Sequence, residues 1–289
     1  MARAGGLGAA RPHRVGELFC GIGGFSLGFA SAGFRTAWAN DACPEACDVF
    51  RREHPDAHVV CADVESFFPP CDVDVLCAGI PCVTFSSAGK RRGVTDPDTR
   101  RLLTEFLRVV EACNPSVVVI ENVTNFRKHA WPAVRRGLDR LGFAQHHRYV
   151  VSPHQVAGTP QSRTRMFAVS LRRREPFHHA FRKMPCPTLG EFLGDDAIAS
   201  AVSPCVTTKR AFAENRDGTT RVLTIAERLA LQGFPRDFLD DRKTETAAGR
   251  LVGNAVSPIV VAELARSIVE WGRAAPRPPA RVLGGGRRG

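Results

Sequence analysis

Apolar positions along this chain alternate between two periods. Val15-Gly16-Glu17-Leu18-Phe19, Phe34–Asp41, Val59–Asp63, Val73–Ala78 and Val117–Ile120 are short aliphatic or β-branched runs of the kind that strands favour. Between them, Phe25–Ala32, Pro44–Arg52 and a stretch opening at Asp98 repeat at helical spacing. In the last of these, Leu102, Leu103, Phe106, Leu107, Val109 and Val110 form one wide apolar stripe. Val117-Val118-Val119-Ile120 is apolar on both faces, as a strand inside a covered sheet must be. Strand and helix in alternation predict an α/β domain on a mostly parallel sheet. A helix over Trp131–Leu141 follows, and then His146–Val151 and Met166–Leu171 as a strand pair.

From Arg172 to about Thr220 the periodicity breaks down into Arg, Pro, Phe and small residues, which predicts a separate small module. Ser203–Lys209 and Arg221–Thr224 are its candidate strands. Thr224-Ile225-Ala226-Glu227 reads as a capping box opening a helix through Leu231, ended by Gly233-Phe234-Pro235. Order returns at Leu251–Pro258, followed by a helix from Ile259 to Trp271. The expected division is a disordered leader 1–13, a large domain 14–171, a small domain 172–249, a C-terminal helix 250–272 returning to the large domain, and a disordered Pro/Gly/Arg-rich tail 273–289.

At 289 residues and 44% hydrophobic, the chain can bury one large α/β core and a smaller appendage. No apolar run read from the sequence approaches bilayer length, so no membrane partner is expected and a cytoplasmic protein is. The ten cysteines are scattered, without paired CxxC spacing, which fits free thiols in a reducing compartment and no metal site. The formal charge of +11, mostly arginine, is an electrostatic footprint suited to nucleic acid.

Several strand ends carry chemistry. The buried run Val73–Ala78 ends in Gly79-Ile80-Pro81-Cys82, a stiff turn that can hold one thiol at the rim of a cleft as a candidate nucleophile. The first strand runs into Cys20-Gly21-Ile22-Gly23-Gly24, a turn that lets backbone approach a ligand and points a helix N-terminus at a negative group. Its Gly-x-Gly-Gly spacing matches neither the dinucleotide fingerprint nor a P-loop. Asp41 ends the second strand, where an acid can hold ribose hydroxyls or cap the next helix. Asp63 ends the third. Glu121 follows the buried fifth strand, a costly place for a carboxylate without a partner. Arg163 and Arg165, at i and i+2 on an extended segment, point the same way. Ser87–Gly93 is a basic polar loop beside the thiol.

Taken in order, Phe19-x-Gly21-x-Gly23-Gly24, Asp41, Asp63, Pro81-Cys82-x-x-Phe85-Ser86, Asp98-x-Arg100, Glu121-Asn122-Val123, Gln161-x-Arg163-x-Arg165, Glu227 with Gln232-Gly233-Phe234-Pro235, and Gly253-Asn254-x-Val256 closely resemble the S-adenosylmethionine-dependent cytosine-C5 DNA methyltransferase family over residues 15–270. The resemblance implies a Rossmann-like methyltransferase sheet, mostly parallel with one antiparallel strand, and a small target-recognition domain. It implies Cys82 as the nucleophile that adds to C6 of a flipped-out cytosine, Glu121 at N3, Arg165 at O2 and Arg163 in support. For the cofactor, S-adenosyl-L-methionine, it implies Phe19 and Asp63 at the adenine, Asp41 at the ribose, Gly21, Gly23 and Gly24 beneath it, and Pro81 and Asn254 on the methionine side. The implied partner is double-stranded DNA in the nucleoid. The implied state is a monomer, and a cognate restriction endonuclease is left open.

Three positions depart from the family pattern. The acid after the second strand is usually Glu, and Asp41 is one methylene shorter. The nucleophile loop usually reads Gly-Pro-Pro-Cys-Gln, whereas here Ile80 and Val83 stand beside Pro81-Cys82. The recognition region, Arg172–Thr220, is short, which predicts few base contacts. Two alternatives remain at this point: a transfer-RNA cytosine-C5 methyltransferase, and a catalytically silent DNA-binding relative.

Overall fold

The computed structural model describes residues 13–81, 96–240 and 243–274. Cys82, Val83, Phe85, Ser86 and the Ser87–Gly93 loop lie outside the described residues, as do residues 1–12 and the tail from 275.

The chain begins as β1 (Arg14–Leu18), α1 (Gly24–Ala30), β2 (Arg35–Asp41), α2 (Pro44–Glu53), β3 (His58–Cys61) and β4 (Val75–Gly79). It continues as α3 (Pro97–Cys113), β5 (Val117–Asn122), α4 (Phe126–His129), α5 (Trp131–Arg140), β6 (Gln145–Val151), α6 (Pro153–Val156) and β7 (Arg165–Leu171). The seven strands form one sheet in the order β3-β2-β1-β4-β5-β7-β6. Neighbours from β3 to β5 are parallel, and β7 runs antiparallel to both β5 and β6. This is the expected mostly parallel sheet with one reversed strand.

All six residues of β5 are buried, and its side chains divide between two cores. Val118 and Ile120 pack with Leu103, Phe106, Trp131 and Leu138 from α3 and α5. Val117 and Val119 face the opposite layer, with Phe25 and Phe29 of α1 and Leu264 and Ile268 near the C-terminus. Covering both faces explains why the strand needed no polar alternation. Local chemistry fixes the helix ends: Asp96 accepts from Thr99 N and Pro97 sits in the first turn of α3.

After β7 come α7 (Leu189–Leu193), the hairpin β8 (Phe212–Glu214) and β9 (Thr220–Val222), α8 (Ile225–Gln232), α9 (Glu245–Asn254) and α10 (Pro258–Ala274). The capping box at Thr224 and Glu227 is present as the sequence predicts. Ser203–Lys209 is not a strand. Its one ladder pairing is a parallel bridge, Ser203 to Gln161. Pro204 has no N–H to give, Val206 N donates to the Gln161 side chain, and Val206 O accepts from the Arg163 guanidinium. Side chains thus take the bonds a partner strand would need. The helix α9, capped by Thr244, was not expected from the sequence. This module's core joins Leu189, Leu229 and Leu251 to Ile22, Ala46 and Val49 of the large sheet's helical layer.

The expectation that no segment reaches bilayer length needs correction. By length and composition alone Glu245–Arg273 would reach across a membrane, although α9 and α10 divide it at residues 255–257. Here 67% of its apolar window is buried inside the protein. Leu264, Ala265 and Ile268 lie in the core beside α1, so its hydropathy is that of a core helix.

Two features of this core generate predictions. An added Cβ on Gly28 would lie 2.6 Å from both Pro258 O and Val261 Cβ, so α1 and α10 meet through the missing side chain. Gly28→Ala should cost about 1–3 kcal/mol, read as a lowered denaturation midpoint; an unchanged midpoint removes this close approach. Glu17, in β1, is 1% exposed and accepts hydrogen bonds from Ser26 N and Ser26 Oγ. Burial pushes its carboxyl up from 4.5 to about 8, against the lowering effect of those bonds. The folded state therefore holds a proton that the unfolded chain loses first. Stability from this group is full below about pH 4.5 and declines as pH rises to about 8. Glu17→Gln should flatten that decline in urea titrations across the window, and an identical slope in both proteins refutes the burial argument.

Candidate active site

The C-terminal ends of the parallel strands meet along one edge of the sheet, where an α/β fold binds its ligands. β1 ends at Leu18, and Phe19 turns the chain with φ 54°, an uncommon left-handed conformation for a residue with a Cβ. Gly21 (φ 53°) and Gly23 (φ 89°) continue the turn in the same region of backbone space. A Cβ on Gly21 would meet nothing within 4 Å, so the turn has open space on that side. A Cβ on Gly24 would lie 2.1 Å from Val256 O. The turn is therefore clamped from behind by the C-terminal segment and open in front.

Asp41, the last residue of β2, accepts from Gly21 N on one oxygen and from Cys43 N on the other, each at 2.8 Å. It ties the glycine turn to the residue that precedes α2. Asp63 accepts from Glu65 N at 2.9 Å and from Arg101 Nη1 at 3.1 Å, both on Oδ1, at the start of a short 3-10 turn. The helix N-terminus that the sequence offered to a ligand is partly used from within, since Glu17 takes the Ser26 amide.

Acceptors at two successive strand ends, the half-buried Phe19 ring and an open left-handed turn suit a group with ribose hydroxyls, an amino-bearing base and a charged amino-acid end. These residues fit S-adenosyl-L-methionine. Asn254 ends α9 and is exposed, and Pro81 is exposed two residues beyond β4. Asn122 Nδ2 donates to Ile80 O at 2.9 Å, which fixes the turn leading to Cys82 from the neighbouring strand.

On the other half of the edge, Glu121 is 8% exposed and its Oε1 lies 3.2 Å from Arg165 Nε. Burial raises the Glu121 pKa, while Arg165 and Arg163 pull it down. Arg163, 4% exposed, donates to Val206 O at 2.7 Å, Gly253 O at 3.1 Å and Ala255 O at 2.9 Å. Burial, with Arg165 adding to it, lowers the Arg163 pKa. The two arginines do share a side, as their i, i+2 spacing predicts, and both reach Cys205 Sγ. A small cavity at this point is lined by Glu121, Arg163, Arg165 and Ser257.

The fold thus brings Phe19, Gly21, Gly23, Gly24 and Asp41 together in one turn, with Asp63 at the end of the next strand. It brings Glu121, Arg163 and Arg165 together in another cluster. Gly79 links the clusters, because it pairs with Glu121 in the sheet and a Cβ on it would lie 3.4 Å from Val256 and 3.7 Å from Phe19 O. Sequence reasoning missed Glu17, Cys205 and the linking role of Gln161, whose amide donates to Leu231 O and whose carbonyl accepts from Val206 N. Of these, Glu17 left a trace as an acid inside an otherwise apolar strand, and Gln161 as the first residue of the Gln161-x-Arg163-x-Arg165 motif. Among the described residues no group of three or more His, Cys, Asp or Glu is arranged to hold a metal ion.

Comparison with known proteins agrees with this geometry. The sequence model described as C-5 cytosine-specific DNA methylase matches residues 13–195 and 197–270. The chain is 36% identical over 194 residues to the Type II methyltransferase M.AquIA of Picosynechococcus sp., covering 60% of this chain and 76% of that protein. It is 27% identical over 296 residues to the Type II methyltransferase M.MspI of Moraxella sp., covering 87% of this chain and 69% of that one. Its fold matches a crystal structure of a mutant Spodoptera frugiperda DNMT2 with a TM-score of 0.71 at 19% identity, over 89% of this chain and 99% of the other. With a family match across nearly the whole described chain, and an acid, two arginines and a glycine turn gathered on one sheet edge, this protein belongs to the C-5 cytosine-specific DNA methylase family.

Proposed function

We propose that this chain transfers a methyl group to C5 of a cytosine flipped out of double-stranded DNA, through a covalent adduct between Cys82 and C6. The observation that carries the reading is the buried Glu121–Arg165 pair at the sheet edge, beside the Pro81 turn that leads into Cys82 and across Gly79 from the glycine turn. A carboxyl and a guanidinium held side by side match the N3 and O2 edge of a cytosine ring. Duplex DNA hides C5 and C6 from any side chain, so the base has to leave the stack.

In this reading the Cys82 thiolate adds to C6, and the electron pair of the C5–C6 bond moves through the ring toward N3. Glu121 holds a proton on that nitrogen; its raised pKa keeps the carboxyl protonated to higher pH than an exposed glutamate. Arg165 holds O2 and stabilises negative charge as it develops. C5 is then the nucleophilic carbon of an enamine. Bound S-adenosyl-L-methionine supplies an electrophilic methyl group. A base then removes the C5 proton, and the returning electron pair expels the Cys82 thiolate. Asp41 and the Phe19–Gly24 turn orient the cofactor, and Asp63, Pro81 and Asn254 complete its surround.

The small module between Arg172 and Gly249 is the target-recognition domain in this reading, with few base contacts because it is short. The names of the Type II relatives support a restriction-modification setting, with a cognate endonuclease as partner. The same reading implies a monomer acting on the nucleoid in the cytoplasm.

Tritium-labelled cofactor offered with genomic DNA and, separately, with bulk transfer RNA should label the DNA; label confined to transfer RNA overturns the substrate. Cys82→Ser should abolish transfer while cofactor binding persists, and duplex DNA containing 5-fluorocytosine should trap the wild-type protein but not the variant. Turnover by the serine variant contradicts the covalent mechanism. Glu121→Gln should slow single-turnover methylation by about 100-fold or more; a near-normal rate removes Glu121 from N3.

A further inference from the structure

Cys205 lies in the segment Ser203–Val206, which belongs to the small module and is fastened to the large domain. Ser203 N donates to Pro160 O at 2.7 Å, and Ser162 N donates to Ser203 O at 2.9 Å. Val206 N donates to Gln161 Oε1 at 3.2 Å. Pro204 restricts the backbone between these ties. The sulfur therefore sits on a braced backbone, and it sits between the two arginines. Arg163 Nη1 is 3.5 Å from Cys205 Sγ, and Arg165 Nη2 is 3.8 Å from it. The thiol hydrogen goes elsewhere, to Val206 O at 3.6 Å, so the sulfur meets both guanidinium groups as an acceptor.

The three nitrogens of Arg165 consequently have three kinds of partner. Nε lies on Glu121 at 3.2 Å, Nη1 donates to the carbonyl of Thr164 at 2.9 Å, and Nη2 reaches the sulfur. Glu121 and Thr164 both belong to the large domain. Among the described residues, the contact from the small module is the one to the sulfur.

We propose that Cys205 is a positioning residue for Arg165: it lets the docked small module hold the guanidinium against Glu121 and in line for the pyrimidine O2. The inference rests on the proposed roles of Glu121 and Arg165. A thiol suits the task because it is a weak acceptor. A carboxylate at this position would hold the guanidinium by a charge-assisted bond worth about 1.5–3 kcal/mol and compete with both Glu121 and the substrate. A weak acceptor fixes the resting direction of Arg165 and gives way when the base arrives. The charge facing Glu121 in the described residues comes from Arg163 and Arg165, so a freed Arg165 removes part of what lowers the Glu121 pKa.

The test is single-turnover methylation of genomic DNA by the full chain carrying Cys205→Ser, Cys205→Val or Cys205→Ala. The serine variant retains an acceptor and should stay within about threefold of wild type. The valine and alanine variants should lose about tenfold in rate, with KM for DNA and for cofactor within about twofold, as expected when a reacting group is misplaced rather than a ligand lost. In both, the alkaline limb of the rate profile should move to higher pH, because Glu121 keeps its proton longer. Valine keeps the volume that alanine gives up, so a melting temperature lowered only in alanine separates packing from positioning. Unchanged rates in valine and alanine, a loss confined to KM, or a loss without movement of the alkaline limb each overturns the inference. The 5-fluorocytosine trap is run beside these variants. Wild-type protein that traps while the variants behave normally leaves the catalytic reading standing and removes Cys205 alone; wild-type protein that never traps brings down the catalytic reading itself.

Discussion

The site depends on the burial of one charge, the Arg163 guanidinium. Taking an arginine out of water costs several kcal/mol unless its hydrogen bonds are replaced. Here Nη1 and Nη2 donate to backbone carbonyls from two distant parts of the chain, Val206 on one side and Gly253 and Ala255 on the other, while the buried Nε is left without a hydrogen-bond partner. The Arg163 amide is itself held by Ser152 Oγ at 2.8 Å. Both terminal nitrogens find their carbonyls only because the segment around Val206 and the α9–α10 connection come together over the guanidinium. The interaction that completes the site is thus also the one that reports assembly, and Arg165, two residues on, inherits its direction from that closure.

The cofactor turn is governed by a similar economy of contacts. Asp41 spends one oxygen on Gly21 and the other on Cys43, so the glycine turn and the start of α2 move as one piece. Val256 presses on the other side, with its carbonyl where a Gly24 side chain would stand and its own side chain near Gly79. The turn that the beginning of the chain contributes is therefore finished by residues near its end. This explains why α10 must return to the large sheet. Val256, in the connection just before α10, is the rear wall of the turn, and α10 itself is the lid of the second core, from which its high apolar content follows.

Much of this was legible in the sequence because sheet interiors leave little choice. Val117–Ile120 had to be a doubly covered strand, so Glu121 had to arrive at its end, and two arginines at i, i+2 had to share a side. The glycines were legible because few other residues tolerate the left-handed turn. What could not be read were contacts that depend on tertiary closure. Cys205 was only one of ten scattered cysteines, because its partners are about forty residues away in sequence and carry no periodic signal. Ser203–Lys209 looked like a strand by composition, yet Gln161 and Arg163 supply its partners from side chains, which a propensity argument does not see. The helix α9 begins at Glu245, before the point at Leu251 where the sequence pattern returns to order, and it ends at Gly253-Asn254. Cys82 lies outside the described residues, so its role rests on resemblance and on the turn that leads to it.

The electrostatics of the cluster favour one kind of substrate. Two guanidinium groups face a single carboxyl, and burial biases that carboxyl toward its neutral form. When Glu121 carries a proton, the cluster holds an excess of positive charge that the carbonyls and the Cys205 sulfur offset only as dipoles. An excess of that kind is expensive in the resting protein and is relieved by negative charge appearing at Arg165. A neutral ring that becomes electron-rich upon addition of a thiolate does this during the reaction and not before it. Under the proposed roles of Glu121 and Arg165, such an arrangement would bind the activated pyrimidine more tightly than the resting one, which is the condition for lowering a barrier rather than only capturing a base.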